Sequence, residues 1–266
     1  MIQEQAGGIH FISGQWPLDP ARPTLIFIHG ATLNKTLWES QVASLSGIAN
    51  TVAIDLPGHG QSPGKGKETI EEYARIVLDF IGEINPPMPI PCGLSMGGAI
   101  VQRLLIQGDY PFQGGILINT GARLKVMPMI IDTIKTNFSG FSRLLSQFAV
   151  SKANISPELD DKIKTCTQCS PDAALNDFMA CDRFDVMNAL GSITVPVLVI
   201  SGSDDAITPP RFGSFLASAI SNAVHVTLKT TGHLSPIEKP DDVNRAITQF
   251  MDGLNRRRPQ EPGQGT

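Results

Sequence analysis

Three observations predict an α/β protein, a doubly wound and mostly parallel sheet with an inserted helical cap. Short apolar runs recur along the 266 residues, amphipathic helical stretches lie between them, and one long interval breaks the alternation. The runs are continuously apolar rather than alternating, which is the pattern of strands covered on both faces of a parallel sheet.

In chain order, Thr24-Leu25-Ile26-Phe27-Ile28 is the first buried-type strand and ends at His29-Gly30-Ala31. Thr51-Val52-Ala53-Ile54-Asp55 is the second and opens into Leu56-Pro57-Gly58-His59-Gly60-Gln61-Ser62. From Thr69 to Ile84, Ile70, Ala74, Val77, Leu78 and Ile81 form one helical stripe, with Glu71 and Glu72 in the first turn where the dipole favours acids. The apolar run Pro89-Ile90-Pro91-Cys92 leads into Gly93-Leu94-Ser95-Met96-Gly97, after which Met96 to Gln107 reads as a helix. Gly115 to Asn119 is the next strand. The interval between Gly121 and Thr194 is too long for a plain connection, so it carries structure of its own. Its helix-compatible groups, Met127 to Ile134, Phe141 to Val150, Pro157 to Thr165 and Asp172 to Met179, make a cap over the C-terminal edge of the sheet. Apolar side chains there, among them Met127, Met129, Phe138, Phe141, Leu145, Phe148, Phe178 and Met179, either line a substrate pocket or pack the cap helices together. The core resumes with Val195 to Ser201, the turn Gly202 to Pro210, a helix from Pro209 to Ile220, and the strand Ala223 to Leu228. Thr231-Gly232-His233 follows, then an amphipathic helix from Asp241 to Leu254. The expected organisation is thus a core of residues 1–121 and 194–255, a cap of residues 122–193, and a flexible tail of residues 256–266.

Ser95 lies between two glycines at a strand-to-helix junction, the setting of a nucleophile elbow. A serine hydroxyl is a poor nucleophile until a base takes its proton, and a sharp turn presents its oxygen to that base. Glycines two residues to either side leave room for such a turn. A carboxylate and then a histidine are expected downstream, each just past a later strand. Asp204 and Asp205 follow the strand ending at Ser201, and His233 follows the strand ending at Leu228. An oxyanion needs backbone donors, and the helix N-terminus at Met96 and the turn at Ala31 supply two N–H groups. His29 is read as orienting its loop, with His233 as the proton carrier.

Taken together, His29-Gly30-Ala31, Asp55 to Ser62, Gly93-Leu94-Ser95-Met96-Gly97-Gly98, Gly202-Ser203-Asp204-Asp205 and Gly232-His233 resemble the α/β-hydrolase superfamily, in its order and over nearly the whole chain. Within it, Cys92 to Gly98 and Ile118 to Arg123 resemble the enol-lactonase and small-esterase branch. The resemblance implies a catalytic set of Ser95, Asp205 and His233, because the family's turn carries its acid as the fourth residue of Gly-x-x-Asp. It implies an esterase or lactonase acting on a small molecule through an acyl-enzyme, with Ala31 and Met96 at the oxyanion and with neither metal nor cofactor. Two other classes stay open: a cofactor-free elimination enzyme similar to the menaquinone-biosynthesis synthase, and a non-catalytic ligand-binding homologue. The first calls for basic residues on an anionic substrate, for which Arg123, Lys125, Arg143 and Lys152 are the candidates; the second predicts a lost triad residue. Haloalkane dehalogenases and epoxide hydrolases place aspartate where this chain has Ser95.

Composition bounds the rest. The net charge of −4 and the 41% hydrophobic content describe a globular chain with no polyanion to bind, so no nucleic-acid partner is expected. Arg256-Arg257-Arg258 is read as part of a solvated end. Cys92, Cys166, Cys169 and Cys181 make a poor disulfide framework, and Cys166-Thr167-Gln168-Cys169 lacks the second pair a zinc site needs. The polar start Met1-Ile2-Gln3-Glu4-Gln5 is unlike a signal peptide, and no apolar stretch approaches the ~20 residues of a membrane span, so a cytoplasmic protein with no membrane contact is expected.

Overall fold

The computed structural model of the chain describes residues 1–141 and 148–257. Eight strands form one sheet in the order β1-β2-β4-β3-β5-β6-β7-β8, with β1 Ile2–Ala6, β2 Ile9–Ser13, β3 Thr24–Ile28, β4 Asn50–Ile54, β5 Pro89–Leu94, β6 Gly115–Ile118, β7 Val197–Gly202 and β8 Ala223–Leu228. From β4 to β8 every neighbouring pair is parallel, and β1 and β2 add an antiparallel hairpin at the edge. The expected mostly parallel, doubly wound sheet is therefore present, and the hairpin is additional to it.

The helices are α1 Glu39–Leu45, α2 Ile70–Ile84, α3 Met96–Gln107, α4 Pro128–Thr136, α5 Pro157–Cys166, α6 Pro171–Arg183, α7 Pro210–Ala219, α8 Ser235–Glu238 and α9 Pro240–Arg257. Strand alternation sends successive side chains to opposite layers. Ile26 and Ile28 of β3 join Tyr73 and Val77 of α2 and Ile100 of α3, whereas Leu25 and Phe27 join Val42 of α1 and Ile247 of α9. At the start of α2 the Thr69 side chain accepts from Glu72 N and donates to Glu72 Oε2, so the first turn is capped as its acids lead one to expect.

Between β6 and β7 the chain forms α4, a helical start at residues 138–141, α5 and α6. Phe141 is the centre of a small apolar cluster there, with Phe138 stacked on it and Phe178 edge-on. These rings pack the segment's own helices, while Met127, Met129 and Phe148 are exposed and Met179 is half-buried. Leu145, Arg143 and the middle of the expected Phe141 to Val150 helix lie outside the described residues. At the C-terminus α9 runs past the helix end expected at Leu254, through Arg256 and Arg257. Arg258 and the rest of the expected tail lie outside the described residues. No helix among the described residues is long and apolar enough to cross a membrane.

Candidate active site

β3 has β4 on one side and β5 on the other, so the winding reverses between β3 and β5. A crevice opens outside the carboxyl ends of the strands at such a reversal. The ends of these two strands are His29-Gly30-Ala31 and the Ser95 elbow.

Ser95 holds φ 54° and ψ −116°, a backbone conformation that costs a non-glycine residue of order 1–3 kcal/mol and persists only where its surroundings enforce it. They do so here through hydrogen bonds and close packing. Ser95 N donates to Ile118 O at 2.9 Å, and Ser95 O accepts from Ala99 N at 3.1 Å and Thr120 Oγ1 at 2.8 Å. A Cβ on Gly93 would strike the Gly97 carbonyl, and one on Gly97 would strike the carbonyls of Ile28 and His29. Gly30 lies directly against the elbow, its Cβ position 3.2 Å from Ser95 Cβ. The turn carrying Ala31 is thereby pressed against Ser95. Neither the Ala31 nor the Met96 N–H finds a backbone acceptor among the described residues.

Asp205 lies just past β7 and accepts four hydrogen bonds. Ile207 N (2.8 Å) and Thr208 N (2.9 Å) donate to Oδ1, while Thr208 Oγ1 (2.7 Å) and His233 Nδ1 (2.9 Å) donate to Oδ2. Burial alone would raise this carboxyl, but the His233 charge and the bonds from His233 and Thr208 hold it below the usual range. With Nδ1 donating, neutral His233 carries its lone pair on Nε2. Neither His233 Nε2 nor Ser95 Oγ has a hydrogen-bond partner among the described residues. Asp204 points elsewhere: exposed, it accepts from Ser151 Oγ at 2.6 Å and Ser203 Oγ at 2.8 Å, and these bonds keep its carboxyl low.

Consecutive residues tie the two halves of the site together. Asn119, at φ 44°, donates to Gly232 O at 2.9 Å and His233 O at 2.7 Å and accepts from Gly202 N at 2.9 Å, while its neighbour Thr120 holds the Ser95 carbonyl. The sequence places Asn119 only at a strand end; its role follows from the strand order.

A second polar cluster backs the turn at Ala31. His29 Nδ1 donates to Gly30 O at 2.8 Å and Nε2 accepts from Leu56 N at 3.0 Å, so the ring is neutral, and burial with His59 nearby lowers its pKa to about 3. This arrangement holds the loop, as its sequence position led one to expect. His59 lies 4.9 Å away between ring centroids and is in the opposite state. Its two nitrogens face acceptors, Pro57 O at 3.1 Å and Asp177 Oδ2 at 2.8 Å; burial opposes the charge, and the Asp177 carboxylate overrides it to raise the pKa. Asp177 also accepts from Thr32 N at 2.8 Å and from Tyr73 Oη. It occupies the buried stripe of α6 with Ala173, Ala174, Ala180 and Cys181, and an acid at such a position is the sequence signal for a partnered charge.

Two grooves lie elsewhere: one of about 440 Å³ between Trp16 and Pro87 at the opposite end of the sheet, and one of about 210 Å³ between Leu37 and Lys162. Among the described residues no cluster of His, Cys, Asp and Glu suits a metal ion. Burial pushes the Cys166 and Cys169 thiols up to about 12.

The chain is 28% identical over 244 residues to 3-oxoadipate enol-lactonase 2 of Acinetobacter baylyi, covering 88% of this chain and 90% of that one. It is 26% identical over 241 residues to a pimeloyl-(acyl-carrier protein) methyl ester esterase of Neisseria meningitidis, covering 85% and 93%. In fold it is similar to the enol-lactonase of Burkholderia xenovorans LB400, with a TM-score of 0.85 at 24% identity over 94% of this chain and 100% of that one. The alpha/beta hydrolase family matches residues 25–246, which include the elbow, the acid turn and the histidine loop, and the chain belongs to that family.

Proposed function

We propose that the protein is a serine hydrolase that cleaves a carboxylic ester or lactone through an acyl-enzyme on Ser95. His233 Nε2 takes the proton of Ser95 as Oγ attacks the carbonyl carbon, and the Ala31 and Met96 N–H groups hold the developing oxyanion. Asp205 keeps His233 in the required tautomer and stabilises it once charged. The imidazolium returns its proton to the leaving alkoxide, then activates water for release of the acid. The observation that carries this reading is the Asp205–His233 hydrogen bond of 2.9 Å, taken with a serine forced to φ 54° at the end of a parallel strand. The names of the relatives, an enol-lactonase and a methyl ester esterase, favour the same bond type.

Two of the four cations that an elimination enzyme would turn to an anionic substrate are engaged within the chain. Arg123 pairs with Asp185 at 3.6 Å and Lys125 donates to Asp182 O at 2.6 Å. We read residues 122–193 as a cap on the site, supported by the contacts of Asp177 with Thr32 and of Ser151 with Asp204. Four free cysteines fit a reducing cytoplasmic setting.

The test is a fluorophosphonate probe followed by intact-mass measurement, beside a hydrolysis series of p-nitrophenyl esters of increasing acyl length and simple lactones. One adduct, absent in Ser95→Ala together with the hydrolysis, is expected. Undiminished hydrolysis and labelling in Ser95→Ala would remove the proposal.

A further inference from the structure

We infer that Asp177 is a positioning residue for the oxyanion turn: from the segment inserted between β6 and β7 it reaches into the core, takes the Thr32 N–H and fixes the Ala31–Thr32 peptide, and through it the residue whose own N–H faces the oxyanion. The inference rests on the reading of Ser95, His233 and Ala31 given above.

Leu33 N donates to Gly30 O at 3.2 Å, closing a four-residue turn with Ala31 and Thr32 at its centre. Thr32 has φ 64°. A positive φ in the second central position is the mark of a type II turn, which ordinarily takes glycine. For a β-branched residue this region is an outlier, so something must hold it. Asp177 is what holds it. Its Oδ2 accepts the Thr32 N–H at 2.8 Å, a hydrogen bond strengthened by the carboxylate charge. The carboxylate is in turn fixed by His59 on Oδ2 at 2.8 Å and by Tyr73 on Oδ1, and the Asp177 and His59 side chains are both at 0% exposure. Water therefore cannot substitute for the acceptor. Without Asp177 the turn relaxes toward negative φ at Thr32, and the Ala31–Thr32 peptide it releases carries the shift through Ala31 to the Gly30–Ala31 peptide, which bears the Ala31 N–H.

A tether that merely seats the inserted segment would make the same contacts. The two roles separate because Tyr73 Oη bonds the same carboxylate without touching the turn. Removing it weakens the tether while leaving Oδ2, the oxygen on the turn, held by His59.

The experiment compares wild type with Asp177→Ala, Asp177→Asn, Tyr73→Phe and the double variant Asp177→Ala/Thr32→Gly. Fluorophosphonate labelling of wild type comes first; a failure to label Ser95 brings down the hydrolase reading and this inference with it. On an ester that wild type hydrolyses, Asp177→Ala is expected to lose about 10² in kcat, the scale of a misplaced reacting group, with KM little changed. Its affinity for a trifluoromethyl ketone, whose hemiketal oxygen occupies the oxyanion position, should fall in parallel. Tyr73→Phe should lower Tm while lowering kcat and ketone affinity by less than about threefold, since His59 still holds the Oδ2 that faces Thr32. Thr32→Gly in the Asp177→Ala background should restore at least about tenfold, because glycine adopts a positive φ without penalty. Equal losses in Asp177→Ala and Tyr73→Phe, or a rise in KM alone, would overturn the inference. Should Asp177→Ala not fold, Asp177→Asn decides: about a threefold or greater loss in kcat and ketone affinity supports the role, since a neutral acceptor is roughly half as strong. Wild-type values in Asp177→Asn refute it.

Discussion

Replacing Asp205 with asparagine tests the acid assignment through the identity of its hydrogen-bond partners. Two of the four donors on the carboxylate, Ile207 N and Thr208 N, are backbone amides that cannot become acceptors, and both face Oδ1. An asparagine must therefore keep its oxygen there and turn its NH₂ toward His233 Nδ1. Nδ1 is then forced to accept, the ring proton moves to Nε2, and the lone pair meant for the Ser95 proton is gone. The corresponding change in serine proteases costs ~10⁴ in kcat through this tautomer, equivalent to about 5.5 kcal/mol at 1.36 kcal/mol per decade. Asp204→Asn faces no such conflict, since its partners are the hydroxyls of Ser151 and Ser203, which can pair with an amide. Its kcat should stay within about threefold of wild type, as for an exposed side chain making neutral-compatible bonds. Steady-state kcat on a p-nitrophenyl ester, measured for both variants at one pH, gives the comparison. A larger loss at Asp204, or more than a tenth of activity left in Asp205→Asn, would refute the reasoning.

Further outcomes follow from the same geometry. Ser95→Gly should be more stable than Ser95→Ala by about 1 kcal/mol, or a few degrees in Tm, because only glycine relieves the positive φ; an alanine variant as stable as the glycine one would deny the strain. His29 stays neutral in the folded protein down to about pH 3, whereas the unfolded chain binds its proton below about 6.5. Its contribution is therefore whole above about pH 6.5 and is lost as pH falls toward 3, at up to about 1.4 kcal/mol per pH unit. Urea midpoints between pH 7 and 5 should decline in wild type and flatten in His29→Gln, and a flat wild-type profile would contradict the neutral ring. Asn119→Asp keeps an acceptor for Gly202 N but sets a carboxylate oxygen against the carbonyls of Gly232 and His233. Both Tm and kcat should fall, kcat by at least about tenfold, and an active, stable variant would show that Asn119 does not hold the histidine loop.

The parallel core was legible because burial on both faces writes itself as unbroken apolar runs, and β3, β4, β6 and β8 fall within a residue of them. The hairpin was not, since β1 is largely exposed and reads as polar. Its signal was nevertheless present: Gly7 and Gly8, at φ 54° and 78°, are the two-residue turn between paired Ala6 and Ile9. In the site, Ser95 and His233 stood out because glycines and strand ends mark them locally. Asp177, Asn119 and Thr120 did not, because their partners lie between 25 and 145 residues away and only the sheet order brings them together. The helix-compatible stretches around α4, α5 and α6 were visible, but whether their aromatic rings faced a pocket or each other depended on tertiary packing, which periodicity does not encode.

The inserted segment is joined to the site at two places of unlike character. At residues 149–154 the joint includes polar contacts: Leu234 N donates to Ala149 O at 2.9 Å, Asn154 Nδ2 donates to Thr230 O at 2.7 Å, and Glu238 Oε1 accepts from Gly232 N at 2.9 Å and Asn154 Nδ2 at 2.6 Å. Thr230 is exposed and Asn154 and Glu238 are half-buried, but Ala149, Val150 and Ser151 are buried, so this joint is held by several modest hydrogen bonds together with apolar packing. At Asp177 the joint is a single buried cluster in which His59 and Tyr73 pin the carboxylate that takes the Thr32 N–H. The turn at Ala31 is thus braced from α6 independently of the contacts at residues 149–154. This is the preorganisation that donors to a transient charge require, since they stabilise it only if they need not be reoriented as it forms.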